Sequence, residues 1–306
     1  QCIRESKTKP FFLWVATLYP HRPLRTWHFA HGLPPVDPER VELPPCLPEL
    51  PEVRADWVDY LTSVQCADAG LGGTLDALRS SGRERDTIVI TFGDQGPCYY
   101  RAKATMYDLG IRVSMAISGP GVKSAKRVRE LTSLIDVAPT VLGAAGLPVP
   151  GAMQGRSLLP LLSGSHSGAW RDLVFSEHNS HNFERDIYPS RSVYDGRLHY
   201  IRNLAPETEY EIINDSRDGS EKWDNRSFQP MLDAKDEFPV QYELLQSTIR
   251  RPAEELYDHS CDRGEIRNVA GDARFRPHLE RMRTALDKWM KETEDPGDPK
   301  KIVRRS

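Results

Sequence analysis

The fold of this chain is decided by the stretch Thr87-Ile88-Val89-Ile90-Thr91-Phe92-Gly93-Asp94-Gln95-Gly96. Its first six residues are β-branched or aromatic, which predicts a short buried strand. Gly93 and Gly96 allow the backbone to turn sharply directly after that strand. In open α/β sheets, ligands bind beyond the ends of the strands, at the edge where such turns lie. The stretch therefore predicts an α/β fold that presents Asp94 at a ligand-binding edge.

Apolar spacing on both sides of this stretch predicts the rest of the sheet and its helices. Across residues 53–78 the apolar side chains fall three or four positions apart, which indicates a long amphipathic helix that ends before Gly82. Residues 113–118 are predicted to form a strand, and residues 134–145 a second helix. The apolar run of residues 11–18 predicts a strand buried on both faces of a parallel sheet. This order is typical of an α/β sheet flanked by helices.

The second half of the sequence has shorter apolar segments and more polar loops than the first half. Short strand-like pieces, such as residues 173–176 and 199–203, alternate with polar loops, and the last periodic segment predicts a terminal helix over residues 275–291. We therefore predict two units: residues 1–163 belong to the α/β domain, and residues 164–306 form a smaller α+β subdomain with a terminal helix.

Composition restricts the class of partner. The 306 residues carry a formal net charge of −3, so no nucleic-acid or membrane-surface partner is indicated. No apolar run approaches the roughly 20 residues that span a bilayer. The five cysteines form neither a CxxC pair nor a disulfide framework, which favours buried free thiols. The chain begins without Met or a signal-peptide layout, and we interpret it as the later part of a longer polypeptide.

Asp94 and Gln95 are the candidate metal ligands. A carboxylate and a side-chain amide offer hard oxygen atoms, which suit Ca²⁺ or Mg²⁺ better than Zn²⁺. The alternative for Asp94 is a purely local role, in which its side chain organises the turn through hydrogen bonds.

Four further side chains could take part in chemistry. His21 follows the apolar run of residues 11–18, and its imidazole could protonate a leaving group or bind an oxyanion. Lys103 could hold a sulfate or phosphate oxygen, although most lysines lie on the solvated surface. His178 and His181 have an HxxH spacing in a polar context, which leaves open a substrate contact, a plain loop or, less favoured, a zinc site.

The order of these segments along nearly the whole chain resembles the sulfatase family. One region, from Ser176-Glu177-His178 to Tyr188-Pro189-Ser190-Arg191-Ser192-Val193, is most similar to heparan N-sulfatase (sulfamidase) members of that family. The other matching segments are Pro10-Phe11-Phe12-Leu13, Pro20-His21-Arg22-Pro23, Gly93-Asp94-Gln95-Gly96, Lys103-Ala104-Thr105-Met106-Tyr107, Met153-Gln154-Gly155-Arg156-Ser157-Leu158, Glu255-Leu256-Tyr257-Asp258 and Asn268-Val269-Ala270.

The resemblance implies an alkaline-phosphatase-like mixed sheet flanked by helices and a hydrolase that acts on a sulfated carbohydrate. It also implies a formylglycine nucleophile, bound Ca²⁺ with Mg²⁺ as the alternative, and a location outside the cytoplasm. The roles that it implies for single residues are catalytic for His21 and Lys103, metal-binding for Asp94 and Gln95, and substrate-binding for His178, His181 and Arg191.

Two departures from the family pattern stand out. Sulfatases form formylglycine from the first residue of a Cys/Ser-x-Pro-x-Arg motif, and no cysteine or serine of this chain stands in that motif. Gln95 replaces the usual His or Asn beside the metal-binding aspartate. We therefore interpret the chain as the C-terminal two-thirds of a sulfatase, inactive without the preceding part of the same polypeptide.

Two other functions compete with this interpretation. The chain could belong to a pseudo-sulfatase that binds sulfated sugar without turning it over. It could also belong to a phosphoester or phosphonate hydrolase of the same superfamily, although two-zinc enzymes of that kind need a His beside the Asp, and Gln95 is a poor zinc ligand. The sequence does not distinguish cleavage of an S–O bond from cleavage of an S–N bond.

Overall fold

A computed structural model describes residues 2–6, 9–24, 32–124, 127–181, 187–210 and 226–297. The strands are β1 (Val89–Phe92), β2 (Met115–Ser118), β3 (Val174–Ser180), β4 (Ile187–Tyr194), β5 (Leu198–Asn203) and β6 (Glu254–Asp258). The helices are α1 (Cys2–Ser6), α2 (Pro51–Ser80), α3 (Asp108–Ile111), α4 (Val137–Ala144), α5 (Leu159–Ser163), α6 (Phe228–Asp233), α7 (Pro239–Ile249) and α8 (Arg276–Glu292). Short 3₁₀ turns occupy Pro38–Arg40, Glu84–Asp86, Leu134–Asp136 and Ala273–Phe275.

The predicted elements around Asp94 are confirmed. β1 pairs with β2 in antiparallel fashion, with Val89 opposite Ser118. The 30-residue helix α2 precedes them. Gly82 follows α2 with a φ of 71°, a left-handed conformation that glycine adopts without strain and that ends the helix. These two strands and the long helix bring the turn that carries Asp94 to the edge of the sheet.

The second sheet is an antiparallel meander of β3, β4, β5 and β6 in that order. The predicted terminal helix is confirmed as α8, and it covers one face of this sheet. Its Leu279, Met282 and Leu286 are buried against Val193, Tyr200 and Leu256, together with further members of the same cluster, Leu198 and Val269. The apolar face that the amphipathic pattern of residues 275–291 predicts is therefore the face that packs on the sheet.

The prediction for residues 11–18 was wrong. The segment has no regular secondary structure, and its side chains are largely exposed: 69% for Phe12, 64% for Trp14 and 74% for Leu18. The Trp14 ring lies near a strand, with its centroid 6.0 Å from that of Phe92 on β1. In the described chain β1 pairs with β2 alone, so no backbone partner converts the apolar run into a strand.

The largest core cluster joins residues from both predicted units. Val53 and Trp57 of α2 pack in it with Tyr99, with Tyr188 of β4 and with Leu245 of α7. The division at residues 163 and 164 stays a prediction. Within the described ranges, no helix has the length and apolar character needed to cross a membrane.

Candidate functional site

The turn that carries Asp94 packs closely against the backbone of Leu109 and Gly110. The N–H of Gly96 donates a hydrogen bond of 2.8 Å to the carbonyl oxygen of Gly110. A Cβ atom at Gly96 would lie 1.8 Å from the carbonyl oxygen of Leu109, so only glycine fits at this position. The side chains of Asp94 and Gln95 are exposed at the tip of the turn. Their oxygen atoms are therefore accessible to a ligand.

His21 is exposed, and its ring is oriented by the next residue. Its Nδ1 atom lies 2.6 Å from the carbonyl oxygen of Arg22. A carbonyl oxygen can only accept a hydrogen bond, so Nδ1 carries the proton and Nε2 of the neutral ring has the lone pair. Such an imidazole can accept a proton at Nε2 and can donate it again once protonated.

A buried ion pair anchors the segment that contains His21. Arg22 binds Asp56 of α2 with two parallel contacts, Nη1 to Oδ1 at 2.9 Å and Nη2 to Oδ2 at 2.5 Å. Its Nε atom donates to the carbonyl oxygen of Cys98 at 3.2 Å. The hydroxyl group of Ser227 donates to Asp56 at 3.0 Å. The bidentate contact anchors the residue after His21 to α2, and the bond to Cys98 anchors it to the segment that runs from Asp94 to Lys103.

Lys103 is buried with only 7% of its surface exposed. Its backbone N–H donates to the carbonyl oxygen of Pro97, and among the described residues its ammonium group forms no hydrogen bond or ion pair. Arg101 and Ala104 on either side have left-handed φ values of 54° and 61°, which cost non-glycine residues about 1–3 kcal/mol each. A lysine that is largely buried and has no anion among the described residues is suited to bind an anionic ligand.

The chain contacts bring three of the predicted residues into one region. The contact between Arg22 and Cys98 places the His21 turn beside the loop that follows Asp94. Lys103 lies at the end of that loop, joined to its start by the bond with Pro97. The catalytic and metal-binding roles of these side chains stay predictions.

Of the three predicted substrate contacts, His178 and Arg191 lie on the second sheet, and His181 directly follows β3. Arg191 is fully buried on β4, and its guanidinium binds Asp295, with Nη2 and Oδ1 2.7 Å apart, so it is occupied by a structural ion pair. His178 on β3 is partly buried, and its Nε2 atom has no hydrogen-bond partner in the described chain. Burial, with the positive charge of Arg251, lowers the pKa of His178 to about 4, so the ring is neutral at pH 7. His181 is exposed.

A buried carboxylate behind the Lys103 turn was not predicted from the sequence. Oε1 of Glu265 accepts hydrogen bonds from Nδ1 of His199 at 2.5 Å and Nε2 of His259 at 2.8 Å. Its Oε2 atom accepts from the backbone N–H of Asp108 at 2.7 Å. Burial by itself would raise the pKa of Glu265, but the two imidazoles and the Asp108 N–H lower it to about 2. No periodicity marks Glu265, because it lies in a charged loop.

Glu255 forms a second buried polar centre. It accepts hydrogen bonds from the hydroxyl groups of Tyr107 at 3.0 Å and Tyr257 at 2.6 Å, and from Nδ2 of Asn203 at 2.9 Å. The guanidinium of Arg101 lies over the Tyr107 ring, 3.7 Å from its centroid. The second sheet therefore supports the turn that carries Lys103.

His199, His259 and Glu265 are the one grouping of three metal-ligand side chains that lies within the described ranges. Both imidazoles already donate to a single oxygen of Glu265, at hydrogen-bond distances. The guanidinium of Arg112 lies 3.5 Å from Nδ1 of His259 and would repel a metal cation. We therefore describe this group as a hydrogen-bonded cluster.

Asp94 and Gln95 fit a hard divalent cation better. Both are exposed on the turn after β1, and both offer oxygen ligands of the type that Ca²⁺ and Mg²⁺ prefer. Ca²⁺ takes about six to eight oxygen ligands, so these two side chains would supply only part of its coordination. The assignment of Ca²⁺ stays a prediction.

Comparisons with known proteins identify the family of the chain. The family model described as Sulfatase matches residues 1–147, and the model described as N-sulphoglucosamine sulphohydrolase, C-terminal, matches residues 96–238. The chain is 30% identical to the N-sulphoglucosamine sulphohydrolase of Homo sapiens, over 94% of this chain and 62% of the relative. It is also 30% identical to an ulvan-active sulfatase of Formosa agariphila, over 82% of this chain and 41% of the relative. The chain thus spans about half the length of these relatives.

The fold is also found among solved structures. A candidate sulfatase of Bacteroides fragilis superposes with a TM-score of 0.70 at 19% identity, over 96% of this chain and 57% of the other. At that identity the likeness shows the fold, which is the α/β arrangement of alkaline-phosphatase-like sulfatases, with the four-stranded antiparallel sheet packed beside it. With two family models whose overlapping matches together cover residues 1–238, and with relatives at 30% identity, the chain belongs to the sulfatase family.

Proposed function

We propose that the protein containing this chain hydrolyses the sulfate ester or sulfamate group of a sulfated carbohydrate. One observation carries the proposal: Lys103 is only 7% exposed, its ammonium group has no anion among the described residues, and strained backbone at Arg101 and Ala104 flanks it in the loop beside the His21 turn. A tetrahedral oxyanion is the ligand that such a cation stabilises best. The human relative is named for N-sulphoglucosamine, and the bacterial relative is named a sulfatase.

Each side chain has a distinct chemical task in this proposal. Lys103 offsets the negative charge that develops on the transferring group. His21 accepts or donates a proton at Nε2, since its Nδ1 atom binds the carbonyl oxygen of Arg22. Asp94 and Gln95 would hold Ca²⁺, or Mg²⁺ in its place, and the bound ion would supply positive charge that polarises the sulfate oxygens.

The nucleophile is expected outside these residues. The family resemblance implies formylglycine, and no position of this chain has the motif from which it forms. The substrate-binding half of the site and the nucleophile would then be contributed by different parts of one polypeptide. By itself this chain should bind a sulfated ligand and turn it over far more slowly than the whole protein does.

The test is the variant Lys103→Ala in the full-length protein. We expect kcat/KM towards a sulfated monosaccharide to fall about a hundredfold, the usual loss when one aimed donor to a developing oxyanion is removed. Lys288→Ala is the matched control, because Lys288 is 73% exposed on α8, and we expect it to keep wild-type activity. Activity is measured separately on an N-sulfated and an O-sulfated glucosamine.

Three outcomes would contradict the proposal. If Lys103→Ala retains wild-type kcat/KM, Lys103 does not act on the transferring group. If the full-length protein binds the sulfated sugars without hydrolysing either one, it is a sulfated-glycan-binding pseudoenzyme. If it instead cleaves phosphate or phosphonate esters and needs Zn²⁺ to do so, it is a phosphohydrolase.

A further inference from the structure

Backbone strain is concentrated at the junction between the Lys103 turn and the second sheet. In the described part of the chain, four non-glycine residues have left-handed φ values, and three of them lie at this junction: Arg101 at 54°, Ala104 at 61° and Glu265 at 54°. Each costs about 1–3 kcal/mol, and such residues cluster where the strain serves a function. The surrounding contacts must therefore hold this junction in place.

Glu265 binds the chain segments on both sides of Lys103, which we call the two arms of the turn. Its backbone carbonyl oxygen accepts a hydrogen bond of 2.6 Å from Nη2 of Arg101, two residues before Lys103. Its side-chain Oε2 atom accepts the N–H of Asp108, five residues after Lys103, at 2.7 Å. A single residue, 157 positions away from Asp108 in the sequence, thus fixes the segment on both sides of the ammonium-bearing side chain.

The carboxylate of Glu265 is itself held rigidly. His199 on β5 and His259 just after β6 both donate to Oε1, and only 1% of Glu265 is exposed. Hydrogen bonds to an ionised, buried carboxylate are shorter and stronger than those between neutral groups. The second sheet therefore provides a fixed base, and Glu265 connects that base to the turn.

We propose that Glu265 is a positioning residue for Lys103, one that holds the ammonium group where the sulfate oxygens bind. The proposal rests on the function proposed for Lys103 and adds the residue through which the C-terminal sheet determines its position. Displacement of a charged group by about 1 Å is enough to weaken its action on a ligand severely.

The first experiment compares Glu265→Gln with a matched control. The amide has one oxygen and an NH₂ group, so it cannot accept from His199, His259 and the Asp108 N–H together, and one arm of the turn is released. We expect the affinity of the full-length protein for inorganic sulfate to fall about tenfold, the equivalent of one charge-assisted hydrogen bond. Calorimetric titration measures it below the melting temperature of each variant.

The control is Asp258→Asn. Asp258 is a buried carboxylate at the end of β6, and it binds the guanidinium of Arg197 at 2.5 Å and the hydroxyl group of Ser260 at 2.6 Å. The Asp258→Asn variant should have a lower melting temperature than the wild type, as Glu265→Gln should, but an unchanged affinity for sulfate. If Asp258→Asn weakens sulfate binding equally, Glu265 is a general stabiliser and the proposal is overturned.

A double-mutant cycle separates positioning from stability. When Lys103 is already replaced by alanine, Glu265→Gln should cause no further loss of kcat/KM, because nothing remains to be positioned. Independent, additive losses would overturn the positioning role while leaving the proposed function intact. If Lys103→Ala itself changes neither sulfate affinity nor kcat/KM, the proposed function fails, and this inference fails with it.

Discussion

The Arg22–Asp56 ion pair is the single contact on which the candidate site depends most strongly. Both side chains are buried, and replacement of Asp56 removes a bidentate ion pair from the interior. We expect Asp56→Asn to lower the free energy of unfolding by about 3 kcal/mol, measured by urea denaturation. Asp76→Asn, which breaks an exposed ion pair with Arg79, should change it by less than about 0.5 kcal/mol. Equal effects of the two variants would show that the buried pair is not an anchor.

Asp94 gives a separate prediction about the metal. Because its exposed carboxylate is the charged ligand of the proposed site, Asp94→Asn should weaken Ca²⁺ binding to the full-length protein by at least about tenfold. Titration calorimetry with Ca²⁺ measures this directly, without any need for turnover. Asp76→Asn serves again as the control for the loss of one surface carboxylate. Undiminished Ca²⁺ affinity in the Asp94 variant would place the metal ligands elsewhere.

The turn between β1 and α3 makes a prediction of its own. A Cβ atom at position 96 would lie 1.8 Å from the carbonyl oxygen of Leu109, so the Gly96→Ala backbone must shift. We expect a loss of about 2 kcal/mol in stability and a larger relative loss of sulfate affinity, because Asp94 and Lys103 lie on either side of the distorted position. Gly72→Ala in α2 is the control, since nothing lies within 4 Å of its added Cβ. Unchanged affinity in Gly96→Ala would show that the turn tolerates displacement.

Local sequence patterns predicted the elements whose formation depends mainly on short-range interactions. The helix α2 carries its own apolar face and ends at a glycine, and β1 is built from β-branched residues, so both follow from short-range rules. Residues 11–18 have the same apolar character as β1 but form no strand. A strand needs a neighbour that supplies backbone hydrogen bonds, and no sequence window contains information about that neighbour.

For the molecule as a whole, the Glu265 cluster predicts sensitivity to acid. The pKa of this carboxyl group falls from its ordinary value of 4.5 in the unfolded chain to about 2 in the folded protein. A depressed pKa stabilises the folded state above pH 4.5, and this contribution is lost as the pH falls from 4.5 towards 2. Thermal melts between pH 2 and pH 6 should show this loss in the wild type and a flatter profile in Glu265→Gln. Parallel profiles would mean that other groups cause the acid sensitivity.

The candidate site was predictable only as far as its chemistry lies in short motifs. His21, Asp94 and Lys103 each stand in a recognisable segment, and the contact of Arg22 with Cys98 brings those segments together. The role of Glu265 was not predictable, because its partners Arg101 and Asp108 are more than 150 positions away. Such support is a property of the folded chain, and no spacing rule describes it.

The exposed segment of residues 11–18 has a practical consequence for work with the recombinant 306-residue chain. Phe12, Trp14 and Leu18 present a row of large apolar side chains to water, and extended stretches of this kind are bound by chaperones and promote precipitation during synthesis. A poor yield of soluble material would thus reflect the exposed apolar side chains of residues 11–18 rather than a defect in the well-packed C-terminal sheet. A fusion partner or mild detergent that shields these side chains would be the first remedy to choose.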